Sequence, residues 1–326
     1  MKLHEDRTAF KVLLNNIHER TGYREDVLEK DYYVVLILEE LAKKQQEGLP
    51  AYFKGGTALY KALKTTNRFS EDIDISVDAR NCSRTQSDKR LEQSTKKYSS
   101  LERNVEECIT HRSEVIAVYN YEPVTIFDAD DALQRFGKVK VEATSFTISE
   151  PVSDLEISPM IYDLATEQEK VILEDVFDIR PFYVKTITLE RIFVDKLFAT
   201  EAYVRRSDIL NRAFEAAKHI YDLAVMVRQE SINVLLHTDE LLNRLLAIRI
   251  TEEKNRLDGI PDILPNEFVF FDNIAENNAV KEAYRIMQNQ YVLRDSDRIE
   301  FNEAVSKIKG IKSMLEENSA WKKYNL

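Results

Sequence analysis

Apolar residues recur at steps of three and four through EDVLEKDYYVVLILEELAKKQ. Val27, Leu28, Tyr32, Val35 and Leu36, followed by Leu38 or Glu39, share one stripe, and this spacing predicts a strong amphipathic helix. The period then changes. AYFKGG reads as a strand entering a tight turn and ALYKALK as a short helix behind it. DIDISV reads as a strand with Ile73, Ile75 and Val77 on one face and Asp72, Asp74 and Ser76 on the other. From Asp78 to about Arg112 the chain is polar until Leu101, Val105 and Ile109, which predicts a helical excursion with a mobile start. KVKVEATSF alternates again, with Val139 and Val141 opposite Lys138, Lys140 and Glu142. Pro123, Pro151, Pro159 and Pro181 punctuate this middle region and suit short strands and loops. Beyond Pro181, TLERIFVDKLFATEAYV, FEAAKHIYDLAVMV, VLLHTDELLNRLLAIRI and DRIEFNEAVSKIKGIKSML all keep helical spacing. The expected class is α+β: a domain over 1–185 with a small mixed sheet, then a mainly helical domain over 186–326.

Length agrees, since 326 residues at roughly 150 per domain suggest about two. The balance of 46 basic and 57 acidic residues gives a formal charge of -11, which excludes binding of DNA or anionic membrane by overall charge. Any nucleic-acid contact must come from local patches such as Arg84, Lys89, Arg90, Lys96 and Lys97, or Arg205, Arg206 and Arg212; the same residues also suit solvated helix faces. Cys82 and Cys108 form no C-x-x-C, against a disulfide framework or structural zinc. MKLHEDRTAFKVLLNNIHERTG lacks a signal-peptide core and no stretch suits a membrane span, so the expectation is a soluble cytoplasmic protein. His4, His18, His111 and His237 lack metal-ligand spacing, and no Ser-His-Asp order suggests a hydrolase.

Candidate chemistry sits between Phe53 and Val77. Aspartates at i and i+2 on a strand point the same way and can share divalent metal ions, although an exposed strand also carries such pairs without chemistry. The chain has only seven glycines, and Gly55 and Gly56 fall together after a strand, where bare backbone lets a phosphate approach main-chain N–H groups. A tight turn is the plainer reading. The Walker pattern G-x-x-x-x-G-K-[ST] is absent, which disfavours a P-loop NTPase. Alternation puts Glu142 opposite the core as a candidate third carboxylate, or as a charge partner of Lys138 and Lys140. Lys196 lies within or beside an apolar stripe of Leu189, Ile192, Phe193 and Thr200, where a lysine snorkels or finds an anion.

EKDYYVVLILEEL, FKGGTALYKAL, RFSEDIDISV and ERIFVDKLFA, in that order, resemble the AbiEii/AbiGii family of nucleotidyltransferase toxins from type IV toxin–antitoxin systems, over about Glu29 to Leu223. The resemblance implies a polymerase-β-like nucleotidyltransferase fold. It implies that Asp72 and Asp74 bind metal, that Gly55 and Gly56 with Lys54 and Thr57 form the phosphate-cradling turn, and that Ser70 hydrogen-bonds the triphosphate. Lys196 is assigned to the triphosphate, with Asp195 as a neighbour. KHIYDLAVM resembles another family phrase, with His219 in place of its first aspartate; Asp222 there orients a substrate or pairs with Lys218 at i,i+4. Glu29, Lys30 and Asp31 also match a family phrase, but an exposed charge cluster opening a helix is the commoner explanation. The implied activity transfers NMP from an NTP, with Mg2+, to an acceptor hydroxyl, in the family the 3′ end of RNA and of tRNA in particular. The implied effect is growth arrest or phage defence, with a cognate antitoxin as partner. The rivals are a nucleotidyltransferase acting on a small molecule or protein, and a catalytically idle partner-binding module.

Overall fold

A computed structural model describes residues 2–111, 113–125, 136–256 and 263–324. The chain divides into two compact units, Met1–Ala62 with Ser70–Thr186 and Leu63–Phe69 with Ile187–Leu326. No helix among the described residues is long and apolar enough to cross a membrane.

Among the described residues the first unit is built on a mixed sheet of seven strands: β1 (Ala51–Lys54), β2 (Ile73–Val77), β3 (Glu102–His111), β4 (Glu114–Asn120), β5 (Lys138–Thr144), β6 (Val152–Ile157) and β7 (Phe182–Ile187), in the order β3-β4-β5-β2-β1-β7-β6. β2 pairs antiparallel with β1 and parallel with β5. Its helices are α1 (Arg7–Thr21), α2 (Glu25–Gln46), α3 (Gly55–Lys61), α4 (Arg84–Thr95), α5 (Met160–Asp163) and α6 (Glu167–Asp175). The alternation read from β2 and β5 is realised: Phe53, Ile73, Ile75, Val77, Val139, Val141 and Ala143 are fully buried on one face, leaving the acidic and basic side chains on the other.

Three expectations are corrected here. α2 is not amphipathic over its first half, because Asp26 to Leu38 are all buried as the helix packs against α1, α5 and β5. The charges within that run are therefore not an exposed helix-opening cluster. Each is spent on a different anchor, as buried charge requires. Glu29 accepts from the Val124 and Thr125 amides at 2.7 and 3.0 Å. Lys30 donates to the Lys138 carbonyl. Asp31 pairs with Lys61 at 3.0 Å and accepts the Met160 amide at 2.6 Å. Second, the helical excursion is half right. α4 starts on a Ser83–Gln86 capping box, but Leu101, Val105 and Ile109 lead into and along β3, an edge strand paired antiparallel with β4 and shifted in register between Asn104 and Ile109. Val105 and Ile109 are 65% and 56% exposed, so their i,i+4 spacing reflected no buried helical stripe. Third, no turn separates β1 from its helix; α3 begins at Gly55 itself.

The second unit is helical. α7 (Leu189–Val204) and α8 (Leu210–Met226) pack together, followed by α9 (Glu230–His237), α10 (Asp239–Arg256), α11 (Phe270–Asn273), α12 (Asn278–Tyr291), α13 (Phe301–Glu317) and α14 (Ser319–Lys322). VLLHTDELLNRLLAIRI reads as one helical stretch, yet the chain breaks at Thr238 between α9 and α10. Leu63–Phe69 joins this unit through the Arg68–Val292 bridge and the Phe69 amide, which donates to the Tyr291 carbonyl at 2.7 Å. No periodicity in those seven residues signals that they leave the first unit.

Candidate functional site

In the first unit the sheet register sets the site. Lys54 stands level with Asp74, and Asp74 with Glu142, so a lysine and two carboxylates occupy one row across β1, β2 and β5. Adjacent strands lie about 4.8 Å apart, which brings these groups within reach of a shared cation. Asp72 immediately precedes β2. Thus Asp72, Asp74 and Glu142 share one open face, with Asp72 and Glu142 side chains 45% and 26% exposed.

Lys140 completes this face. Its ammonium lies 2.5 Å from Glu142 Oε1 and 3.9 Å from Asp72 Oδ2. Burial works against its charge, but Asp72, the Glu142 hydrogen bond and the nearby Asp74 together raise its pKa. The charge-partner reading of Glu142 is therefore realised, with Lys140 rather than Lys138, whose ammonium meets Glu107 at 2.8 Å. The acids form no ready three-ligand metal cluster among the described residues. The donor set nevertheless fits a hard divalent ion: its oxygens are carboxylates on adjacent strands, and a cation already stands between two of them.

Gly55 is shaped to this carboxylate row. Its φ is +79°, a left-handed backbone, and a Cβ there would lie 1.9 Å from Asp74 Oδ2. Only glycine lets β1 run straight into α3 in this backbone conformation with Asp74 packed against it. Thr57 is fully buried, and its hydroxyl donates to the Asp72 carbonyl at 2.5 Å and lies within hydrogen-bond distance, 3.0 Å, of the Ser70 hydroxyl. It ties α3 to the segment entering β2. Lys54 donates to Thr144 Oγ1 at 3.2 Å. The turn candidates Lys54, Gly55, Gly56, Thr57 and Ser70 thus lie in one unit with Asp72, Asp74 and Glu142.

Lys196 and Asp222 lie together in the second unit. Lys196 is 6% exposed, and the anion it finds is Asp222, 2.8 Å from its Nζ. Arg68 holds the same carboxylate with two hydrogen bonds of 2.9 Å. Burial alone would raise the Asp222 pKa, but Arg68 and Lys196 hold it well below the usual carboxylate range. The i,i+4 pairing with Lys218 is not formed, since Lys218 pairs with Glu215 at 2.8 Å. His219 Nδ1 lies 3.0 Å from Lys196 Nζ and accepts from it. Burial and then Lys196 push its pKa well below 6.5, so the imidazole is neutral. Nothing in the sequence marks Arg68, although it opens RFSEDIDISV, because a lone arginine beside a strand gives no sign of its burial. Asp195 belongs to another network, with Arg191 and, at 3.5 Å, Arg249. The basic residues proposed for RNA are largely engaged within the chain: Arg90 donates to the Asp78 carbonyl, Lys96 to Thr110, Lys97 pairs with Glu92, and Arg205 with Glu201.

The sequence matches the family model described as nucleotidyl transferase AbiEii toxin, type IV TA system, over residues 36–307. The match reaches through most of the helical unit, well past the motifs that end near Leu223. The crystal structure of JHP933 from Helicobacter pylori is similar over 93% of this chain and 94% of that chain, at 16% identity and a TM-score of 0.42. No curated protein matches the sequence.

Proposed function

The chain belongs to the AbiEii family of nucleotidyl transferase toxins, and from that premise we propose that it transfers a nucleoside monophosphate from an NTP to the 3′ hydroxyl of an RNA, a tRNA in particular. The observation that carries the reading is the row formed by Asp74 and Glu142 beside Asp72, with Gly55 cut away to admit Asp74. In this reading the first unit is a polymerase-β-like nucleotidyltransferase domain, within the division 1–185 and 186–326.

Asp72, Asp74 and Glu142 would hold Mg2+, which when bound lowers the pKa of the acceptor hydroxyl and offsets charge on the departing pyrophosphate. The chain's own groups do the positioning. Amides of Gly55 and Gly56, with Lys54 and Ser70, orient the triphosphate so that the acceptor oxygen meets the α-phosphorus in line with the bond to be broken. Thr57 acts one step back, fixing Ser70 and the Asp72 carbonyl. Lys196 serves the triphosphate and Asp222 orients substrate, in a cluster where two cations share one carboxylate and charge complementarity favours an anion. The acceptor oxygen releases its proton to water as its bond to the α-phosphorus forms, the α,β bridging bond breaks and pyrophosphate leaves. A cognate antitoxin is the partner that the family suggests, and growth arrest or phage defence the outcome.

A small-molecule or protein acceptor is the second reading, favoured by the net charge of -11 and by the internal pairing of Arg90, Lys96, Lys97 and Arg205. Incubation with each α-labelled NTP, Mg2+ and total RNA separates the two. Label in RNA supports the proposal; label only in protein or small molecules replaces the acceptor.

A further inference from the structure

We propose that Lys140 is a resident cation that holds the position between Asp72 and Glu142 against free divalent metal, so that metal binds productively only together with the triphosphate. The inference rests on the reading of these acids as a metal site. Three carboxylates on one open face repel one another, and an ammonium 2.5 Å from Glu142 and 3.9 Å from Asp72 relieves that repulsion. The two lysines of β5 on this face divide the work: Lys138 turns to Glu107 at 2.8 Å, whereas Lys140 turns to the acids.

Lys140 is both effective and removable. It is carried on the same strand as Glu142, so it competes at the high local concentration of a tethered group, which an ion at ordinary concentration must overcome. Yet its side chain is 41% exposed, and ion pairs so exposed to water are individually modest. A metal arriving on a triphosphate brings phosphate oxygens as further ligands, which a lone aqueous ion lacks. The arriving complex displaces the ammonium from Glu142 and leaves it beside the phosphates, where its charge remains favourable. No bond is made or broken in this exchange.

Mn2+ serves as the probe, its binding measured by size exclusion in Mn2+-containing buffer, with and without an equimolar mixture of the four α,β-non-hydrolysable ribonucleoside triphosphates. Lys140→Met is expected to bind Mn2+ without nucleotide about fivefold or more tightly than wild type, the worth of one half-exposed ion pair. Its gain from added nucleotide is expected to shrink correspondingly. Lys140→Arg, which keeps the charge, is expected to stay near wild type and controls for loss of side-chain packing. Equal Mn2+ affinity of wild type and Lys140→Met without nucleotide overturns the inference, even where both bind Mn2+ with nucleotide and lose it on Asp74→Asn. Absence of Mn2+ binding in every protein, with or without nucleotide, overturns the metal site itself and the inference with it.

Discussion

Gly55 and Asp74 form one device: a Cβ on the glycine would lie 1.9 Å from the aspartate's Oδ2, and the glycine backbone sits at φ +79°. Gly55→Ala must therefore either shift Asp74 or leave the left-handed conformation. Loss of transfer by more than about a hundredfold is expected, since displacement of a reacting group by about 1 Å costs that much. Gly22 supplies the control, because it has nearly the same φ, +76°, with nothing within 4 Å of its missing Cβ. Gly22→Ala is expected to lower the melting temperature and leave turnover per folded molecule intact. Equal loss of activity in the two variants would mean that backbone strain alone explains Gly55.

Asp72→Asn and Asp74→Asn each remove a charge from a crowded acidic face. Transfer is expected to be abolished while thermal stability is unchanged or slightly higher, because repulsion with Glu142 falls and neither side chain belongs to the apolar core. Activity assays paired with melting curves check this. Wild-type turnover in either variant removes that residue from the site.

The Arg68–Asp222–Lys196 cluster differs from that open face, because all its members are buried. Arg68→Met leaves Asp222 with one cation instead of two, and removal of one partner from a buried pair costs on the order of 3–5 kcal/mol. Asp222→Asn leaves two cations facing each other and is expected to be at least as damaging. Urea denaturation of the variants reads this out. Losses below about 1 kcal/mol would show that the cluster is held for substrate alone.

His219 gives the same cluster a pH dependence. Its folded pKa lies well below 6.5, through burial and the adjacent Lys196, with Arg68 and Lys218 acting in the same sense and Asp222 opposing. Between the folded pKa and 6.5 the unfolded chain binds the extra proton, so this contribution is complete above pH 6.5 and is lost as pH falls below it. The loss approaches about 1.4 kcal/mol per pH unit at most. His219→Gln is expected to flatten the stability profile in that window, as measured by denaturation at stepped pH. An unchanged slope would assign the acid sensitivity to other groups.

Periodicity made the sheet's acidic face legible: alternation alone placed Asp72, Asp74 and Glu142 opposite Ile73, Ile75 and Val141, and the register sets Asp74 level with Glu142. What alternation could not disclose is which charge sits against which, since that depends on strand order. Lys140 and Lys138 are indistinguishable in KVKVE, yet one faces the acids and the other Glu107. Burial of charge was equally hidden. Glu29, Lys30 and Asp31 read as a solvated cluster, but a helix packed on several sides turns all three inward, and their partners Val124, Thr125, Lys138, Lys61 and Met160 come from distant parts of the chain. The strand over Glu102–His111 is not legible in the sequence, because apolar residues spaced four apart suit a helix and only its neighbour β4 decides otherwise.

The position of label on the products reads out nucleotidyl transfer at the Asp72–Asp74–Glu142 face. Wild type and Asp74→Asn are incubated with Mg2+, total RNA and each NTP labelled either at the α- or at the γ-phosphate. The expected result is α-label on RNA with wild type, γ-label recovered only as pyrophosphate, and no label on RNA with Asp74→Asn. Transfer of γ-label to any acceptor, or undiminished α-label transfer by Asp74→Asn, would rule out nucleotidyl transfer at this face.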